Sequence, residues 1–113
     1  MPITKMVFSG SSGGRSVALG TGPTIIHTSV SGGSDYDELF FYVYNSATVA
    51  RRVSAFVGAT LAKDKISQSI PSQDGLYLVG PGAPLGLGKA LKALATAGAN
   101  VLYAHGWANR IVQ

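Results

Sequence analysis

The segment Glu38-Leu-Phe-Phe-Tyr-Val-Tyr-Asn45 decides the fold class, because a strand built from it would be apolar on both of its sides. Side chains alternate between the two sides of an extended backbone. One side would carry Leu39, Phe41 and Val43, and the other side would carry Phe40, Tyr42 and Tyr44. A chain of 113 residues builds one sandwich with one core, which covers one side of this strand. The aromatic side is therefore expected to meet another strand layer, another subunit or a ligand.

Composition indicates a single small domain with a weakly charged surface. Hydrophobic residues make up 46% of the chain and charged residues 12%, whereas an average domain is about 25% charged. The formal charge of +4 is spread along the chain, which does not favour specific nucleic-acid binding. There is no cysteine and hence no disulfide. No signal peptide and no apolar run of roughly 20 residues is visible, so we expect no membrane partner.

From Pro23 onward, short alternating segments are separated by turn residues, as is typical of an antiparallel β-sandwich. We predict an all-β, jelly-roll-like sandwich of six to eight short strands. Glycine interrupts the last strand at Gly106, which predicts a bulge or a close approach of another backbone. The predicted strands cover residues 24–30, 38–45, 49–57, 63–70, 76–79 and 101–111.

Residues 87–96 fit two kinds of structure. As a helix, the segment would have one face lined by Leu87, Leu91, Leu94 and Ala95, and most of its residues are good helix formers. The strands predicted on both sides favour a strand instead, paired with 101–111 through the turn between them. Because tertiary context overrides propensity in short segments, the strand is the preferred interpretation.

The N-terminal residues differ from the rest of the chain. Glycine and serine are dense in Ser9-Gly-Ser-Ser-Gly-Gly14 and again around Gly20-Thr-Gly-Pro23, a composition that keeps a backbone flexible. We therefore predict an extended, flexible arm over residues 1–22, with a short strand at 5–8, and a sandwich domain over residues 23–113. The arm would dock on a neighbouring subunit or remain a mobile terminus.

Catalytic chemistry has little support in the sequence. His27 lies in mid-strand and is interpreted as a structural residue, and no serine lies in the Gly-x-Ser-x-Gly turn that exposes a nucleophile. The acids Asp35, Asp37 and Glu38 lack the ligand spacing of a calcium loop and are interpreted as solvated. We expect no enzymatic activity, no metal and no cofactor.

Two groups of residues are candidate contact sites. The subunit interface is predicted to contain Phe40, Tyr42 and Tyr44, together with Arg51 and Arg52 from the next strand. A ligand patch is predicted at Tyr103, His105 and Trp107, which would share one face of the last strand. Stacking of single-stranded nucleic acid needs basic residues interleaved with the aromatic ones, and none lies between Phe40, Tyr42 and Tyr44.

Four segments carry recognisable motifs: Asp37-Glu-Leu-Phe-Phe-Tyr42 with Asn45, Ile70-Pro-Ser-Gln-Asp-Gly-Leu-Tyr-Leu-Val79, Pro81-Gly-Ala-Pro-Leu85 and Ala104-His-Gly-Trp-Ala-Asn-Arg-Ile111. Together they resemble small virion proteins of tailed bacteriophages. In that family an aromatic strand beginning Asp-Glu precedes an Ile-Pro-x-x-x-Gly-Leu turn, and a His-Gly-x-x-Asn-Arg-Ile ending closes the chain. The resemblance covers about residues 24–112 and leaves the arm outside.

The resemblance implies a β-sandwich structural subunit of the virion, often trimeric, which decorates or cements the capsid or forms another head or tail component. Its partners would be copies of itself and the major capsid or other virion proteins. It would be made in the host cytoplasm, and the family offers no catalytic residues. The alternative is a tail- or fibre-associated binding module that recognises host surface glycans through Tyr103, His105 and Trp107.

Overall fold

A computed structural model of the chain describes residues 3–59 and 64–112. For residues 80–83 it describes the backbone alone. The described residues form nine strands and no helix, and the strands pack as an antiparallel β-sandwich, which confirms the predicted fold class. The predicted start of a strand at residue 63 lies outside the described residues. The strands are β1 (Ile3–Val7), β2 (Val17–Ala18), β3 (Thr24–Thr28), β4 (Tyr36–Asn45), β5 (Arg51–Gly58), β6 (Lys65–Ile70), β7 (Tyr77–Gly86), β8 (Ala90–Ala95) and β9 (Leu102–Ile111).

The strands form two sheets, here called sheet A and sheet B. Sheet A has the order β1-β9-β4-β7, with the short β2 also paired with β9. Sheet B has the order β3-β8-β5-β6. In the part of the chain that the structure describes, β5 and β6 are the one pair of consecutive strands that are hydrogen-bonded neighbours. The chain therefore crosses from one sheet to the other at nearly every connection.

The opening segment forms β4, between β9 and β7 in sheet A. Burial alternates along its whole length, with every second side chain buried against sheet B. The side that was predicted to face the core is buried. The other side, with Phe40, Tyr42 and Tyr44, is partly exposed on the outer face of sheet A. The buried side chains of β4 include Leu39, Phe41 and Val43.

The prediction of a flexible arm at residues 1–22 is wrong for the residues that the structure describes. Both β1 and β2 pair with β9 and so belong to sheet A. Phe8 and Leu19 lie on either side of the Gly/Ser-rich stretch and are buried in the core, with exposed fractions of 2% and 0%. The stretch is thus a connection within the domain. Composition suggested mobility, but the two apolar side chains that flank it anchor the segment.

The strand expected to end at residue 79 is longer in the structure. β7 continues through the Gly/Pro-rich sequence to Gly86, and Pro84 pairs with Glu38 of β4. The pairing register with β4 shifts twice along its length. Because β7 lies at the edge of sheet A, a residue without a backbone N–H can face away from the partner strand.

The strand interpretation of residues 87–96 is confirmed, since Ala90–Ala95 forms β8. Its predicted pairing with the last strand is wrong, because β8 lies between β3 and β5 in sheet B. Burial along β8 alternates with a period of two, and Leu91, Ala93 and Ala95 enter the core. The turn that follows carries the chain across the sandwich to sheet A.

Gly106 marks a close approach of two backbones, as predicted. Its φ angle is +139°, in a region that residues with a side chain rarely adopt. A Cβ at this position would overlap the carbonyl oxygen of Phe40 and lie 3.0 Å from the ring of Phe8. A side chain is therefore excluded both by conformation and by space.

The substitution Gly106→Ala should destabilise the protein by about 3 kcal/mol or more, because the strained φ and the backbone overlap act together. Thermal and urea unfolding measure the change. Gly22→Ala is the matched control, since a Cβ there would meet no atom within 4 Å. A similar effect of the two substitutions would contradict the interpretation of Gly106.

Candidate functional site

The outer face of sheet A brings together the two aromatic groups that the sequence suggested as separate sites. Phe40, Tyr42 and Tyr44 of β4 lie on this face, and β9 is the neighbouring strand. The direct cross-strand pairs are Phe40 with Trp107, Tyr42 with His105, and Tyr44 with Tyr103. We call these six residues the aromatic face. All six are partly exposed.

Trp107 lies at the centre of a stacked cluster within the aromatic face. Its ring centroid is 5.1 Å from that of Phe40, with 15° between the planes, and 5.9 Å from that of Tyr42, with 25°. The ammonium group of Lys5 in β1 lies 4.7 Å from the Trp107 ring centroid. Aromatic pairs and exposed cation–π contacts each contribute on the order of 1 kcal/mol. Neighbours on both flanking strands therefore hold the indole in place.

Exposed aliphatic residues extend the aromatic face across four strands. In β1, Ile3 is 63% exposed and Val7, the cross-strand partner of Trp107, is 49% exposed. In β7, Leu78 pairs with Tyr42 and is 42% exposed. Contiguous apolar surface of this kind marks interaction sites in soluble proteins.

The charges on this outer face balance one another. Lys5, Asn109 and Glu38 lie in one cross-strand row, since Asn109 is the register partner of both of the others. Burial lowers the pKa of His105, so its imidazole is uncharged at neutral pH. The face is thus apolar in its middle and carries one cation and one anion beside the aromatic cluster.

Arg51 and Arg52 do not contribute to this surface, contrary to the prediction. They belong to β5, which lies in sheet B on the opposite side of the core. Arg52 is exposed there and its guanidinium lies 3.3 Å from Ser67 Oγ. The prediction took the next strand along the chain as the next strand in space, and in this fold those differ.

A buried polar network, which sequence reasoning missed, connects the two sheets. Asp37 and His27 are both 0% exposed, and His27 Nε2 lies 2.7 Å from Asp37 Oδ2. Arg110 binds the same carboxylate with two donors, Nε at 2.9 Å from Oδ1 and a terminal nitrogen at 3.0 Å from Oδ2. The sequence does carry a signal: Asp37 is two residues before Leu39 and so lies on the buried side of β4.

Both ring nitrogens of His27 are occupied. The backbone N–H of Ser9 donates to Nδ1 at 3.0 Å, so Nδ1 carries no proton and Nε2–H donates to Asp37. The hydroxyl of Ser9 accepts a hydrogen bond from the backbone N–H of Thr28 at 2.8 Å. A hydrolytic triad needs a histidine nitrogen that can accept a proton from the nucleophile. Here neither nitrogen is available, and the arrangement is that of a structural clamp.

The three neighbouring acids diverge in the structure. Asp37 points into the core, Glu38 lies on the outer face of sheet A, and Asp35 is in the loop before β4. Among the residues that the structure describes, no group of three or more His, Cys, Asp or Glu side chains could hold a metal ion. Over the same residues no pocket is enclosed and no helix could cross a membrane.

Scans of family models, of curated proteins and of solved structures each returned no significant match to this chain.

Replacing Asp37 by Asn should lower the free energy of unfolding by about 3 kcal/mol, because the donors of the partly exposed Arg110 and the buried His27 then face an uncharged amide. Urea unfolding at neutral pH measures the loss. Asp74→Asn is the control, since Asp74 is exposed and bonds only the Tyr77 hydroxyl in the described structure. Its effect should stay within about 0.5 kcal/mol. Equal effects would refute the clamp.

The clamp also predicts a pH dependence of stability. Burial raises the pKa of Asp37, but the hydrogen bonds from Arg110 and His27 and the charge of Arg110 outweigh it and hold the pKa below its usual value. The stabilisation is therefore complete above the ordinary carboxyl pKa of about 4 and is lost as the pH falls through the lowered value. The difference in unfolding free energy between the wild type and Asp37→Asn should shrink below about pH 4. A constant difference would contradict this assignment.

Proposed function

We propose that this protein is a structural component of a tailed-bacteriophage virion, which self-associates through the outer face of sheet A and decorates or cements the capsid. The observation that carries the proposal is the aromatic face of β4 and β9, which exposed aliphatic residues extend to β1 and β7. The Phe40–Trp107–Tyr42 stack lies at its centre. The virion assignment rests on the resemblance of residues 24–112 to small virion proteins.

The order of the strands supports the same class of protein. We leave out the two-residue β2 and count the other eight strands from 1 to 8 along the chain. The strand order is then 1-8-3-6 in sheet A and 2-7-4-5 in sheet B. We interpret this interleaving as jelly-roll connectivity, an architecture that viral capsid and lectin domains use. A fold alone does not define a function, so the surface must carry the rest of the argument.

A second copy of this chain is the occupant that we assign to the aromatic face. Lys5 and Glu38 lie on this same face, so around a threefold axis the cation of each copy can pair with the anion of the next copy. The molecule measures 44 × 27 × 20 Å, so the area of its broadest face is at most roughly 1,200 Å², the product of the two longer dimensions. A stable interface typically buries about 800 Å² on each partner. The face is large enough for such a contact.

Apolar burial supplies the driving force in this proposal. At about 25 cal/mol per Å², covering 400 Å² of apolar surface gives a gross gain of about 10 kcal/mol, much of which the loss of translational and rotational freedom offsets. Repeated contacts in an oligomer and on a capsid convert modest affinities into avidity. A homotrimer is the state that the resemblance implies.

Val7→Glu should dissociate the oligomer, because it places a charge next to Trp107, the ring at the centre of the stacked cluster. Light scattering coupled to size exclusion should give three times the 11.6 kDa chain mass for the wild type and the chain mass for the variant. Ile25→Glu is a matched control, since Ile25 is 50% exposed, as Val7 is 49%, but lies in sheet B. It should leave the oligomer intact.

A wild type that stays monomeric at high concentration, or equal behaviour of the two variants, would refute self-association through this face. The virion role has a separate test. Mass spectrometry of particles purified from the phage whose genome encodes this sequence should detect the chain at near-stoichiometric amounts. Its absence from the particles would remove the virion role and leave self-association standing.

A glycan-binding module is the second candidate, since Tyr103, His105 and Trp107 do lie on one outer face. The contacts of Phe40, Tyr42 and Lys5 with the Trp107 ring leave less of it free for a sugar. The chain has one tryptophan, so its fluorescence reports on this face alone. Self-association predicts a change of emission on dilution. A change on adding host-surface oligosaccharide at constant protein concentration would favour the glycan module.

A further inference from the structure

The positive charge of the chain is segregated into one sheet. The strands of sheet B contain four basic residues and no acidic one, whereas those of sheet A contain two of each. The connections between strands contain three basic and three acidic residues, so sheet B carries the whole net charge of +4. The four basic residues of sheet B are Arg51, Arg52, Lys65 and Lys92.

Three of these cations lie on the outer face of sheet B. Leu91, Ala93 and Ala95 point into the core, so the alternate residue Lys92 points outward. In β5, Val53 and Ala55 fill the core, which leaves the alternate residues of that strand on the outside. On this side Arg52 is exposed and Phe56 is partly exposed, whereas Ser54 between them is buried. Lys65 of β6 lies on the same outer side, because it is the register partner of Phe56.

An aromatic ring lies between two of the cations. Phe56 is the register partner of Lys65 on one side and of Lys92 on the other, so the three form one cross-strand row. The two lysines are then about 10 Å apart across the ring, from the spacing of neighbouring strands. Phe56 is partly exposed and is outside the core cluster. Arg52 lies four residues before Phe56 on the same side of β5, and its guanidinium is 3.3 Å from Ser67 Oγ.

We propose that the outer face of sheet B binds single-stranded nucleic acid without sequence preference. An open antiparallel sheet face with an aromatic ring flanked by basic side chains is the arrangement that stacks bases and neutralises phosphates in single-strand binding proteins. Phe56 would stack a base, and Arg52, Lys65 and Lys92 would contact the phosphates on either side. The sequence alone did not suggest this, because Phe56, Lys65 and Lys92 belong to three different strands.

An acidic protein surface is the competing partner for a basic face. The central position of Phe56 favours nucleic acid, since a ring flanked by two lysines matches a base flanked by phosphates, whereas a carboxylate has no aromatic ring to stack on Phe56. The two partners also differ in what they require of the protein. Nucleic acid requires both the ring and the charges, and an acidic protein requires the charges.

The test is fluorescence anisotropy of a labelled oligothymidylate titrated with the protein at low ionic strength. With three phosphates neutralised, log K should fall with log salt concentration at a slope of about −2. Lys92→Gln should make the slope shallower by about 0.7, and Lys5→Gln, the same change on the opposite face, should leave it unchanged. Phe56→Leu should weaken binding by about tenfold, while Phe40→Leu on sheet A should not. Circular dichroism should show each variant folded.

Two outcomes would overturn the proposal. Binding of a polyglutamate of matched charge as tightly as the oligonucleotide, with no effect of Phe56→Leu, would assign the face to an acidic protein instead. Equal effects of Lys92→Gln and Lys5→Gln would show that net charge alone acts, without a site. The proposal does not depend on self-association, since the two use opposite faces, and a monomeric protein could still bind the oligonucleotide.

Discussion

The buried carboxylate of Asp37 is the constraint on which the rest of this structure depends. It lies on the core side of β4 and accepts hydrogen bonds from Arg110 in β9 and His27 in β3, so one charge connects a neighbouring strand and the opposite sheet. A buried charge is tolerated only when its partners are all in place. Asp37 and Arg110 are direct register partners, and a slip of one residue between β4 and β9 would turn Arg110 away from the core. The ion pair therefore selects one register for the two central strands of sheet A.

The other end of β4 is fixed in a similar way by a neutral group. Asn45 is fully buried; its amide donates to the carbonyl oxygens of Val49 and Ile70 at 2.9 Å each, and its Oδ1 accepts from the N–H of Ala47 at 2.9 Å. The inner side of β4 is thus polar at both ends and apolar between them. The inner side therefore fixes the position of β4 at both ends, and the outer side carries Phe40, Tyr42 and Tyr44.

The parts of the fold that could be predicted from sequence are those that depend on local pattern. Alternation along residues 38–45 predicted both sides of β4, and Gly106 predicted a close approach of backbones. Pairing between strands could not be predicted in the same way, because partners are distant in sequence. Arg51 follows β4 along the chain yet lies in the other sheet, and β8 precedes β9 without pairing with it. Local composition also misled at the N-terminus, where Phe8 and Leu19 outweigh the glycines between them.

The interleaved connections explain why the two outer faces differ in chemistry. Since the chain crosses the sandwich at nearly every connection, residues that are far apart in sequence come together on one face, and a charge pattern that is scattered along the chain is sorted between the sheets. The aromatic residues of β4 and β9 meet on one side, and the cations of β5, β6 and β8 meet on the other. Between the faces lies a core packed from both sheets, with polar groups of β4 fixing it at each end. A partner on one face contacts none of the side chains that a partner on the other face would use. The two proposed contacts therefore do not compete, and one molecule can hold both partners at once.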